Sequence, residues 1–111
     1  MQLHEEQMDQ VTALAVKGRV DSTTAATLGE KMESVVAAPA GRLVVDFRDL
    51  EYISSAGFRV LLMAARRAES SGGRMVLCCL SAKVRQLFDL GGFLDIFSIT
   101  ATRDDAVDAA R

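Results

Sequence analysis

The stretch from Leu43 to Leu62, LVVDFRDLEYISSAGFRVLL, decides how this sequence folds. It opens with a run of apolar residues interrupted only by Asp46, a pattern typical of a parallel strand that is buried on both faces. A polar segment and two adjacent serines follow, and after them apolar residues recur at helical spacing. The sequence therefore predicts a strand over 42–47 and a helix over about 56–70.

Ser54 and Ser55 stand where the helix N-terminus follows the end of this buried strand. Backbone N–H groups are unpaired at such a position, and the helix dipole favours negative charge, so a serine there is prepared to carry a phosphate. A serine is also a common helix cap that contributes about 1 kcal/mol without any further role. Gly57 favours the functional interpretation, because glycine weakens a helix unless the backbone needs a close approach.

The rest of the chain alternates between strands and helices. Strands over 2–8 and 10–17 are expected to form a hairpin turning at Asp9, with a break over 18–21. The other predicted elements are a helix over 22–37 capped by Asp21 or Ser22, a strand over 75–80, a helix over 82–90, a strand over 96–99 and a helix from Thr102. The order ββαβαβαβα requires a mostly parallel sheet covered by helices, which is an α/β fold.

Length and composition limit the possible functions. The 111 residues, half of them apolar, fit one globular domain over 1–111. The net charge is −2, and no Lys/Arg cluster is dense enough to make nucleic acid the main partner. The N-terminus lacks the pattern of a signal peptide, and no apolar run is long enough to insert into a membrane. We expect a protein of the reducing cytoplasm.

The sequence lacks the residue patterns that catalytic sites and metal sites require. His4 is the only histidine, and Ile53 replaces the first glycine of a G-x-S-x-G motif around Ser55. Cys78 and Cys79 are adjacent in a predicted strand, so their side chains should point to opposite faces and fill the core. We therefore expect no catalytic residues, no metal site and no cofactor.

The run VVDFRDLEYISSAGFRVLL resembles the STAS domain family, the sulphate transporter and anti-sigma factor antagonist domain. GRVDSTTAATLGEKM and KVRQLFDLGGFLDIFSIT are similar to further segments of that family, so the resemblance covers nearly the whole chain. It implies the STAS fold. For a stand-alone member, it also implies an anti-sigma factor antagonist, which is a binding module that regulates transcription and not an enzyme.

The resemblance further implies that Ser55, two residues before the glycine, is phosphorylated. In stand-alone members the kinase is itself the anti-sigma factor. It is bound by the unphosphorylated antagonist, released by the phosphorylated one, and a serine phosphatase resets the cycle. The residues that the resemblance places at the partner surface, besides Ser55, are Asp21, Ser22, Ser54, Ala56, Gly57, Phe58 and Arg59. Asp21 can equally be an ordinary helix cap.

Three positions differ from the well-known switch members, which carry aspartate in place of Ser54, serine or threonine in place of Ala56, and often glycine in place of Arg59. Two alternatives remain open. One is a constitutive STAS scaffold or transport-associated subunit without a phosphorylation cycle. The other is a sensor that binds a nucleotide or anion at 54–57. The polar first strand is compatible with a monomer or a weak dimer.

Overall fold

The computed structural model describes residues 1–111 as a six-stranded sheet and four helices. The strands are β1 (Gln2–Met8), β2 (Val11–Val20), β3 (Arg42–Asp46), β4 (Leu50–Ile53), β5 (Arg74–Cys78) and β6 (Ser98–Thr100). The helices are α1 (Ala25–Val36), α2 (Ser55–Ser70), α3 (Ala82–Leu90) and α4 (Arg103–Ala110). The strand order is β1-β2-β3-β5-β6, with β4 paired to β2, and only β1 runs antiparallel to its neighbour. The predicted α/β class with a mostly parallel sheet is confirmed.

Both faces of the sheet are covered. Leu43 and Val45 of β3 pack in the main core with α1, α2 and α3, whereas Val44 packs in a smaller core with α4. Alternate side chains of one strand thus enter two different apolar layers. This two-sided burial explains why β3 is a continuous apolar run instead of an alternating one.

The sequence prediction missed β4 and ended β2 too early. Gly18 has a φ of +93° and coincides with a register shift, so it makes an irregularity inside β2 and does not end the strand. Its N–H donates to the Asp49 carbonyl at 3.1 Å, and β4 then pairs with β2 through Val20 and Ile53. The observed order is therefore ββαββαβαβα. Strand β4 has only four residues, of which the first and the last are buried, so it lacks the alternation that would predict a strand.

Helix α1 begins at Ala25, three residues later than predicted, because residues 21–24 form a separate turn. Asp21 Oδ1 accepts hydrogen bonds from the Thr23 N–H at 2.9 Å and from its hydroxyl at 2.7 Å. Thr24 is the N-cap, so neither Asp21 nor Ser22 caps the helix directly. Asp21 instead orders the turn that joins β2 to α1.

The prediction for the cysteines was wrong in its geometry. Strand β5 ends at Cys78, and Cys79 has a φ of +62°, so Cys79 does not continue the alternation of the strand. Both sulfur atoms and a carboxylate oxygen of Asp46 lie within 4.8 Å of one another. The two thiols therefore share one side of the chain.

The last two elements differ slightly from their predicted bounds, since β6 spans Ser98–Thr100 instead of 96–99 and α4 begins at Arg103.

Helix α2 packs closely against the sheet at Gly57. A Cβ atom there would lie 2.5 Å from Ile53 Cγ1 and 2.9 Å from Val20 Cγ1. In the same place, the Ser54 N–H donates to the Val20 carbonyl at 2.9 Å. The ends of β2 and β4 and the start of α2 thus form one packed junction, which fixes Ser54 and Ser55 at the carboxyl edge of the sheet.

None of the four helices combines the length and apolar character needed to cross a lipid bilayer.

We predict that Gly57→Ala lowers the free energy of unfolding by about 1–3 kcal/mol, because the added methyl group overpacks the junction. Urea denaturation of the two proteins measures the difference. Gly29→Ala is the matched control, since its Cβ would meet Val60 Cβ at a less severe 3.1 Å, and its loss should be smaller. A Gly57→Ala protein as stable as the wild type would contradict the packing argument.

Candidate functional site

Ser54 is a structural residue of the junction. It is half-buried, and it is the N-cap of α2 with extended backbone angles. Its N–H donates to Val20, its carbonyl accepts from the Phe58 N–H at 3.0 Å, and its Oγ accepts from the Gly57 N–H at 3.4 Å. The last contact is long for a hydrogen bond, so the two backbone bonds are what hold Ser54 in the junction.

Ser55, the next residue, differs from Ser54 in its exposure and in its hydrogen bonds. It is the first residue of α2, it is exposed, and its hydroxyl makes no hydrogen bond within the chain. The amide groups of the first helical turn have no intrahelical acceptor, so positive partial charge is concentrated beside this hydroxyl. Ser55 therefore offers a free oxygen at the point of the helix best suited to a negative charge.

Ser55 lies on the rim of an open groove of about 580 Å³. The groove, which we call the Ser55 groove, is lined by Ser55, Phe58, Arg59, Leu62, Met63, Arg66, Gly91 and Phe93. One wall is the exposed side of α2, and the other is the loop that follows α3. Its apolar floor and basic rim are suited to a protein segment with apolar and acidic side chains.

A network of phenylalanine rings holds the two walls of the groove together. Phe58 of α2 is buried and stacks on Phe93, with ring centroids 4.4 Å apart and planes 11° apart. Phe58 also meets Phe88 of α3 edge to face at 4.9 Å. Such pairs each contribute about 0.5–1.5 kcal/mol beyond their burial. Phe58 and Gly57 are buried, and they hold the side chains of the candidate partner surface in position.

Arg59 and Ala56 complete the sequence-predicted residues on α2. Ala56 is half-buried against the main core, and Arg59 is exposed. Arg59 stands four residues after Ser55, and residues at this spacing are neighbours on one helix face. The replacement of glycine by arginine at this position therefore places a guanidinium group one helical turn from the serine hydroxyl.

Asp21 and Ser22 lie on the neighbouring strand end. Val20 pairs with Ile53, so Asp21 follows β2 at the level where Ser54 follows β4. Hydrogen bonds from the Thr23 side chain and then from its backbone lower the pKa of Asp21 below the ordinary value of 3.8. Asp21 therefore carries its charge at neutral pH beside the start of α2, while Ser22 is exposed.

A second groove continues the surface along α2. It measures about 680 Å³ and is lined by Ala26, Gly29, Glu30, Glu33, Val60, Met63, Ala64, Arg66, Arg67 and Ser70. Met63 and Arg66 belong to both grooves, and the Met63 side chain is 60% exposed. The exposed face of α2 is thus one continuous surface with an apolar centre.

Sequence reasoning missed the second wall of the Ser55 groove. Gly91 and Phe93 lie more than thirty residues after Ser55, and neither is among the residues that the sequence predicted for the partner surface. The one usable signal was the pair Gly91-Gly92 after a short helix, of which Gly92 has a φ of +75°. The stacking of Phe93 on Phe58 depends on tertiary packing, which periodicity does not encode.

We predict that NMR titration of the Asp21 carboxyl carbon gives a pKa below 3.8, and that Thr23→Val moves it back towards that value by removing the hydroxyl donor. Because the folded value is the lower one, the contribution of Asp21 to stability is present above pH 3.8 and is lost as the pH falls through the folded pKa. A wild-type Asp21 that titrates at or above 3.8 would contradict the hydrogen-bond assignment.

Comparison with known proteins places this geometry in a family. A family model described as the STAS domain matches residues 3–106. BtrV of Bordetella bronchiseptica, named as a candidate anti-sigma factor antagonist, is 36% identical over 109 residues, which cover 98% of this chain and 94% of BtrV. The anti-sigma-B factor antagonist of Bacillus subtilis is 29% identical over 92 residues, covering 83% of this chain and 84% of that protein.

A solved structure agrees with these relatives. The crystal structure of an anti-sigma factor antagonist from Mycobacterium paratuberculosis matches with a TM-score of 0.86 at 27% identity, covering 99% of this chain and 93% of that one. The relatives carry the names of regulatory binding proteins and not of enzymes, in agreement with the sequence expectation. With its fold, its sequence and nearly its full length matched, this chain belongs to the STAS domain family.

Proposed function

We propose that this protein is an anti-sigma factor antagonist that binds its partner through the Ser55 groove and is switched off by phosphorylation of Ser55. The observation that carries the proposal is the contrast between two adjacent serines. Ser54 has its polar groups engaged in the junction, whereas Ser55 is exposed on the rim of the groove with a free hydroxyl. The names of the relatives supply the class of partner, which is an anti-sigma factor.

The fold itself can accept a phosphate at Ser55 without rearrangement. The group would add about −1.5 to −2 charges at pH 7. The N-terminal amides of α2 favour this charge, and Arg59 stands one turn away on the same face with a guanidinium that can pair with phosphate oxygens. Phosphorylation would therefore leave the protein folded and change only its surface.

The same phosphate would oppose binding of a partner in the groove. Closing the interface over Ser55 would strip water from a doubly charged group and bring it against any acidic side chain of the partner. If Arg59 turns to the phosphate, it is also withdrawn from the basic rim that the partner meets. A difference of about 3 kcal/mol changes affinity more than a hundredfold, and these effects are of that order.

The proposal implies two enzymes that act on Ser55. An anti-sigma factor with serine kinase activity would supply the phosphate from ATP, and a serine phosphatase would remove it. ATP belongs to the kinase, so the antagonist needs no cofactor of its own. Sigma factors act in the bacterial cytoplasm, which is where we place this protein.

We predict that Ser55→Glu weakens binding to the anti-sigma factor of the same organism on the order of tenfold or more, because it places negative charge on the groove rim. Ser55→Ala should bind like the wild type. Isothermal titration calorimetry with the purified anti-sigma factor measures all three affinities. Ala82→Glu is the matched control, since Ala82 is the exposed first residue of α3 as Ser55 is of α2.

The control variant should keep wild-type affinity, which separates a local effect at the groove from a general effect of added charge. Equal affinities for Ser55→Glu and the wild type would rule out the phosphorylation switch and favour a constitutive STAS scaffold. A failure of the wild type to bind any anti-sigma factor of its organism would remove the antagonist role itself.

A further inference from the structure

A second cluster of reactive side chains lies away from the Ser55 groove, at the carboxyl ends of β3 and β5. Asp46 and Cys78 are direct neighbours in the parallel register of these strands. Cys79 follows, and one donor atom from each of the three residues lies within 4.8 Å of the other two. Asp46 and Cys78 are buried, and Cys79 is partly exposed. Nothing in the proposed antagonist role uses this cluster.

The backbone of Cys79 is what brings the two sulfur atoms together. Its φ of +62° lies in the left-handed region, which residues with a side chain rarely adopt and glycine adopts freely. In a regular strand the two side chains would point to opposite faces. A strained residue that gathers donor atoms is the kind of feature from which a functional site can be inferred.

We propose that Cys78, Cys79 and Asp46 bind a thiophilic divalent metal ion, with two sulfur ligands and one carboxylate oxygen. Zn²⁺ accepts tetrahedral sites with cysteine and carboxylate ligands, and thiolates select soft ions over Mg²⁺ or Ca²⁺. Three ligands from the protein leave a fourth position for water or for a group from another molecule. The proposal does not depend on the antagonist function, because it concerns other residues, of which Cys78 and Cys79 pack in the smaller core on the side of the sheet that α4 covers.

Two hydrogen bonds hold the Asp46 carboxylate in place beside the two thiols. Asp46 Oδ1 accepts from the Arg48 N–H at 2.9 Å, and Oδ2 accepts from Arg103 Nε at 3.1 Å. These bonds fix the carboxylate in the way that outer partners orient ligands at metal sites, and they leave further lone pairs free. Two thiolates, the carboxylate, the Arg103 guanidinium and a divalent ion together carry no net charge.

The cluster is also accessible from outside. Cys79 lines an open depression of about 670 Å³ together with Leu80, Thr102 and Arg103. Asp46 lines the same depression, so an ion that enters there can reach the Cys79 sulfur and the Asp46 carboxylate, with the buried Cys78 behind them. Since Cys78 and Asp46 end neighbouring strands, a bound ion would hold the ends of β5 and β3 together and stabilise the folded state.

The test uses Cd²⁺ as the probe and three proteins, the wild type, Cys79→Gly and Ala40→Gly. Equilibrium dialysis measures affinity, and the ultraviolet charge-transfer absorption of Cd–thiolate bonds reports the ligands. The wild type should bind one Cd²⁺ per chain with this absorption. Cys79→Gly should bind at least tenfold more weakly while its thermal unfolding midpoint stays equal or rises, because glycine relieves the left-handed backbone.

Ala40→Gly is the matched control, because Ala40 also has a positive φ of 54° but lies outside the cluster. It should gain thermal stability in the same way and keep wild-type Cd²⁺ binding. The proposal is overturned if the wild type binds no stoichiometric Cd²⁺, or if Cys79→Gly binds Cd²⁺ as tightly as the wild type.

Discussion

The close contact between helix α2 and the ends of two parallel strands at Gly57 is the constraint on which the rest of the site depends. No side chain fits there, since a Cβ would lie 2.5 Å from Ile53 and 2.9 Å from Val20. The bond from the Ser54 N–H to the Val20 carbonyl holds the same point. Together these contacts set the start of α2 at the edge of the sheet, and the positions of Ser55 and of the α2 wall of the groove follow from that placement.

One consequence is a division of roles between two identical side chains. Ser54 is turned inward and completes the junction, while Ser55 is turned outward onto the groove. Aspartate stands at the first position in the well-known switch members, and serine can replace it because both are good helix caps. A modification of Ser55 would then alter only the surface, because the packing that holds the helix lies beneath it.

The sequence predicted those parts of the fold in which burial imposes a pattern. Strand β3 was recognisable because it is covered on both faces, and α2 because its apolar side is regular. Strand β4 was not, because it depends on the irregularity of β2 at Gly18 and on a backbone bond to Asp49. The groove wall at Phe93 and the turned backbone of Cys79 were equally hidden, since they arise from tertiary contacts and a positive φ.

The central claim is that Ser55 is the site at which the surface is switched. The most direct measurement is the intact mass of the protein isolated from its native host, under resting and stressed conditions, with tandem mass spectrometry to place any modification. The account predicts a fraction of molecules that carry a single phosphate on Ser55. Phosphate on Ser54 instead, or no phosphate under either condition, would contradict it.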